Sequence, residues 1–125
     1  MLALGVYCVL GFSRQFHPMS KVYRGRRVRW GPMVEVDGKP LPPRYDLRHY
    51  ARMFTKQPTG SAFSWGNASP GSAQLALALL ADCLGDDAKA IELHMAFRVR
   101  FIDRLPHSGW RLTEERLRAM MADLM

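Results

Sequence analysis

Apolar residues run almost unbroken from Ala73 to Leu84, with only Gln74 and Asp82 among them. A helix that is apolar nearly all round must be covered on most sides, so this segment predicts the central helix of a core. Ser69 followed by Pro70 supplies its start: a side-chain oxygen for the N-cap, then a residue whose missing N–H does no harm at the first helical position. Gly85 supplies its end, because a left-handed residue commonly closes a helix.

A second amphipathic pattern begins at Asp86 and Asp87, whose charges suit the positive end of a helix, and runs through "AKAIELHMAFRVRFIDRL". Ile91, Met95, Ile102 and Leu105 mark the expected buried face, widened by Leu93, Phe97 and Phe101. After "PHSGW", Thr113 caps a third helix with Leu117, Met120, Met121 and Leu124 on its apolar side.

The pattern upstream is of another kind. Two short β-type runs, Val22 to Trp30 and Met33 to Val36, are punctuated by Gly31-Pro32 and by Asp37-Gly38. They predict a small antiparallel element with a tight turn at Asp37-Gly38, after which "VDGKPLPP" doubles back. Pro40, Pro42 and Pro43 argue against a central strand there. Residues 46–64 read as irregular, with at most a short helical turn around Leu47, Tyr50, Ala51 and Phe54 that Pro58 and Gly60 end. Strands first and helices after predict an α+β fold: a small N-terminal antiparallel β element packed on a bundle of about three helices, in a single domain over residues 19–125. "MLALGVYCVLGF" is too short to cross a bilayer and has no basic segment before it. Because Met19 opens the patterned sequence, residues 1–18 are read as an N-terminal extension, a mis-chosen start or a loosely attached tail.

The chain has 125 residues, 48% of them hydrophobic, enough to bury a core without disulfide or metal staples. Cys8 and Cys83 have no CxxC neighbour, and Cys83 falls in the apolar helix, where a small buried thiol is the ordinary role. This cysteine usage fits a reducing cytoplasm. The net charge of +7 is uneven. Residues 1–60 hold eleven Lys or Arg against Glu35, Asp37 and Asp46, whereas residues 61–125 hold seven basic residues against eight acidic ones. Such asymmetry favours nucleic acid, an anionic surface or an acidic protein as partner.

The stretch "YRGRRVRW" concentrates that charge. Lys21, Arg24, Arg26, Arg27, Arg29 and Trp30 are the candidate binding residues, because arginines neutralise phosphates and aromatic rings stack on unpaired bases. The same residues would also suit a solvated edge strand, where charge blocks edge-to-edge pairing. A second, weaker candidate is the loop before the core helix, with Trp65, Gly66, Ser69, Gly71 and Gln74. Gly66 and Gly71 have the glycine spacing of a phosphate loop, but Ser72 and Ala73 stand where Lys and Ser/Thr are required. A helix cap packing Trp65 on the core is the alternative, and an anion held by free N–H groups is the remaining use. Ser69 lacks the preceding glycine of a nucleophile elbow, since Asn67 stands there. His17, His49, His94 and His107 form no ligand spacing, so no metal or cofactor is expected. Glu92, Asp103 and Glu114 could act as acids only if folding gathered them.

The ordered set "YRGRRV" at 23–28, "VDGKPLPPRYDLR" at 36–48, Trp65-Gly66, "AQLALALLADCLGDD" at 73–87 and "RLPHSGWRLTEE" at 104–115 resembles the domain-of-unknown-function family 6166, small proteins of bacteria, archaea and their phages. Trp65, Gly66, Gly71, Ala73, Gln74 and Leu75 fit its loop pattern. The segment before Trp65 is longer here and part of the usual glycine run is lost. The resemblance implies a fold and no chemistry, and by association a role as a phage or mobile-element accessory or anti-defence protein. The expectation is therefore a basic, non-enzymatic binding module for nucleic acid or an acidic protein. A small enzyme with its site in the loop 65–74, or a structural subunit with apolar surface on the Met120-Met121 helix, are the alternatives.

Overall fold

Tyr23, Gly25 and Arg27 alternate with Arg24, Arg26 and Val28 along strand β1 (Val22–Val28), and that alternation sets which residues the sheet turns toward the core. The computed structural model describes residues 20–49 and 62–125. The expected helical turn at Tyr50, Ala51 and Phe54, the segment 1–18, His17 and Cys8 lie outside the described residues. β1 pairs antiparallel with β2 (Gly31–Val36), and β2 with the two-residue β3 (Lys39–Pro40). The β1–β2 turn is Arg29-Trp30, two residues earlier than the Gly31-Pro32 punctuation implies. The β2–β3 turn is Asp37-Gly38 as expected. Both residues take positive φ (51° and 81°), the conformation a two-residue hairpin turn of this kind demands.

The helices follow the sequence signals at their ends. α1 (Pro70–Leu84) starts at Ser69, whose side chain accepts from the Ser72 N–H, and stops at Gly85 with φ 65°. α2 (Asp87–Arg100) is capped by Asp86, which accepts from the Lys89 N–H. α3 (Glu114–Ala122) is capped by Thr113, which accepts from Arg116. Twelve of the fifteen residues of α1 are buried, as a central helix requires.

Three features depart from the sequence reading. The second helix does not run on to Leu105: it ends at Arg100, and Ile102–Arg104 form a 3₁₀ turn. The break buries Ile102 completely and frees its carbonyl to accept from the Gly66 N–H at 3.0 Å. The buried stripe of α2 is Ala90, Leu93, His94 and Phe97, while Met95 is 42% exposed. These four follow i, i+3, i+4, i+7, and the polar His94 in their midst is what shifts a polarity-based reading onto Ile91 and Met95. Finally, strands do not all precede helices. Gly109–Thr113 forms β4, which pairs antiparallel with β1 and completes the order β3-β2-β1-β4.

β4 changes the meaning of β1. The arginine-rich strand is an inner strand with partners on both sides, so the edge-strand reading of its charges is overturned. On the inward face, Tyr23, Val34, Trp110 and Leu112 join Leu75 to Ala81, Phe97 and Met121 in one core. Gly25 is required there: a Cβ at this position would lie 2.3 Å from the Trp110 ring. Trp110 in turn meets Trp65 edge-on, with centroids 5.7 Å apart and planes at 87°.

Candidate functional site

Period-two alternation sends the basic residues of β1 in two directions. Arg27 shares the inward face. Its guanidinium lies 4.9 Å over the Trp65 ring, and its Nε donates to the His107 carbonyl at 2.8 Å, which also accepts from Trp65 Nε1 at 3.1 Å. This arginine holds β1, the loop at Trp65 and the approach to β4 together. Lys21 is engaged as well, 3.2 Å from Asp82, which also accepts from the Tyr23 hydroxyl at 2.7 Å. Burial first, and the neighbouring Asp82 carboxylate second, push the Tyr23 phenol far above its ordinary range, so it stays a hydrogen-bond donor.

Arg24 and Arg26 share the outward face of the sheet. Arg24 stands directly opposite Glu35 on β2 and directly opposite Arg111 on β4. Arg26 faces Met33 and Gly109, with its Nε 3.4 Å from Glu35. Arg24, Arg26, Arg111, Ser108 and Gly109 border an open depression of about 510 Å³ over the β1–β4 pair. Among the described residues neither the Arg24 nor the Arg111 side chain has a hydrogen bond or ion pair, and both are exposed. Two like charges placed directly across an antiparallel pair repel, so the fold gains nothing from this pairing. Arg29 and Trp30 occupy the β1–β2 turn, both exposed, the indole by 53%. No described helix covers this face, since the inward residues carry the core contacts.

Arg111 is absent from the basic stretch that sequence reading selected. Its signal is the alternation Trp110-Arg111-Leu112-Thr113, which is short and sits between a turn and a helix cap, where it reads as a connection.

The second candidate, the loop ahead of α1, spends its polar groups on itself. Gly66 takes φ 76° and donates to Ile102, while Trp65 is fully buried. Asn67 donates to Ser64 Oγ and to the Trp65 carbonyl and accepts from Ser72 Oγ at 3.0 Å. Ser69 caps α1, and Gly71 packs where a Cβ would come within 3.0 Å of Ser64. Gln74, fully buried, is a clamp: its carbonyl accepts from the Arg44 N–H at 2.6 Å and its amide donates to the Arg48 carbonyl at 3.0 Å. That clamp fixes the chain leaving β3 against the core helix.

The scattered titratable groups stay scattered. Glu92 pairs with Lys89, Asp103 lies 3.6 Å from Arg98, and Glu114 holds Arg118 and the Lys21 N–H. His94 is buried with Nδ1 2.6 Å from the Ile91 carbonyl, and burial lowers its basicity. Burial raises the Cys83 thiol above its ordinary range, leaving it a poor nucleophile. Among the described residues no three His, Cys, Asp or Glu side chains cluster as a metal site. No described helix is long and apolar enough to cross a membrane.

Against known proteins, one family model matches residues 23–123, that of the family of unknown function DUF6166. No curated protein matches the chain. No solved structure matches it either.

Proposed function

This chain belongs to DUF6166, a family of unknown function, and we propose that it is a non-enzymatic binding module that takes nucleic acid on the outward face of its sheet. The observation that carries this reading is the Arg24–Arg111 pair: two exposed arginines directly opposite each other across β1 and β4, neither side chain in an ion pair among the described residues. A phosphate between them would supply the missing charge and turn a cross-strand repulsion into two charge-assisted hydrogen bonds. Arg26 and Arg29 extend the positive surface, and the exposed Trp30 offers a ring to an unpaired base. An acidic protein would meet the same charges and is the competing partner. As an accessory of a phage or mobile element, such a module would act by occupying a surface that a host enzyme needs, which takes complementarity rather than catalysis. The enzyme reading of the loop 65–74 draws no support from a network in which Asn67, Ser69, Ser72 and Gln74 already satisfy one another or the backbone.

The test is fluorescence anisotropy with labelled nucleic acid across a salt series, wild type against Arg24→Ala/Arg111→Ala. Affinity should fall steeply with salt, and the double variant should flatten the logarithmic slope by roughly 1.4 to 1.8, the share of two phosphate contacts. Absence of binding at low salt, or a slope that the double variant leaves unchanged, would remove nucleic acid as the ligand of this face.

A further inference from the structure

On the footing of that reading, we infer that the nucleic acid is single-stranded, with its phosphates over the β1–β4 pair and a base stacked on Trp30. The first ground is the width of the sheet. Pro40, Glu35, Arg24 and Arg111 stand in one row across all four strands. Four strands at about 4.8 Å spacing measure roughly 14 Å between the outer axes, before side chains are counted. The major groove of a duplex is about 12 Å wide and admits a two-stranded ribbon, so a face four strands across cannot enter it. A duplex could lie only against the sheet, offering phosphates but no base to the indole.

Polarity across the row supplies the second ground. On the β2 side, Glu35 neutralises Arg26 at 3.4 Å and places an acceptor beside Arg24. On the β4 side, the residue opposite Arg24 is Arg111, a second cation with no ion pair among the described residues. A phosphate is therefore drawn toward β4 and repelled from β2, which gives the bound strand a backbone side and a base side. The β1–β2 turn continues the base side: Trp30 follows Arg26 by four residues, within roughly 13 Å at the usual strand rise. Bases of a single strand are free to turn onto that ring, whereas bases in a duplex are already stacked.

Trp30 also provides the direct readout. Of the three tryptophans, Trp65 is fully buried and Trp110 is 9% exposed, against 53% for Trp30, so a base stacked on this protein quenches chiefly one indole. The experiment adds oligothymidylate, the equivalent duplex and polyglutamate to the full chain while following tryptophan emission and anisotropy. The single strand should bind at least tenfold more tightly than the duplex and quench emission. Trp30→Ala should weaken single-strand binding roughly 5- to 100-fold with the salt slope unchanged, and Trp30→Tyr should restore much of the loss. Glu35→Gln should tighten binding roughly 2- to 5-fold and steepen the slope, because it releases Arg26 from its ion pair. Equal or tighter duplex binding, or indifference to Trp30→Ala, would overturn the single-strand inference and leave the nucleic-acid module standing. Binding of polyglutamate alone would overturn both.

Discussion

The two faces of the sheet use the same residue type for opposite purposes. Arg27 points inward, stacks on Trp65 and bonds the His107 carbonyl, so its charge is part of what joins the sheet to the rest of the molecule. Arg24, three residues away in the same strand, faces outward beside Arg111 and makes no such bond among the described residues. The lesson is that a run of arginines is not one feature. Its members divide by parity, and each half answers to a different constraint: packing on one face, an external partner on the other.

The comparison breaks first on the inward side. Gly25→Val would drive a branched side chain into the Trp110 ring, where even a lone Cβ comes to 2.3 Å, and should cost about 3 kcal/mol or more of stability, read as a loss of midpoint in urea unfolding. Trp65→Ala, in the same cluster, should cost about 3–5 kcal/mol by the same measurement. Arg27→Ala removes a ring contact and a charge-assisted bond together, so it should destabilise by about 1–2 kcal/mol, whereas Arg24→Ala should stay within about 0.5 kcal/mol of wild type. Equal losses for these two arginines would erase the distinction between the faces.

A smaller effect should appear with pH. His94 is buried and its imidazole is held below the ordinary value of 6.5, chiefly by desolvation. The unfolded chain therefore takes up a proton before the folded one does, and stability falls as pH drops through 6.5 toward the lower folded value. His94→Gln should flatten that part of the stability curve in thermal melts at a series of pH values. Smallest of all, Arg111→Thr should raise stability by a few tenths of a kcal/mol, because it relieves the repulsion with Arg24, leaves Arg24 opposite Glu35 and puts a β-branched residue on the strand. A gain in stability paired with a loss of nucleic-acid affinity would be the sharpest form of the comparison.

Much of the fold was legible in the residues. The caps at Ser69 and Thr113, the acidic start of α2 at Asp86 and Asp87, the stop at Gly85 and the turn at Asp37-Gly38 all stand where local chemistry put them. What failed were the features that local chemistry does not control. β4 is five residues long and has no reason to be a strand until β1 lies beside it. The end of α2 at Arg100 depends on the Gly66 N–H reaching the Ile102 carbonyl, 36 positions away in the chain.

The sequence by itself determined where the three helices begin and where the first one ends, the turn at Asp37-Gly38, the apolar core helix and the concentration of positive charge in the N-terminal half. These rest on interactions within a few residues, on backbone conformations that only particular residues adopt, and on counts. Only the tertiary structure decided that β1 is an inner strand, that Arg27 belongs to the packing, and that Arg111 comes from the far end of the chain to stand beside Arg24. Pairing between strands some eighty residues apart is fixed by the shared core beneath them, and no local signal carries it.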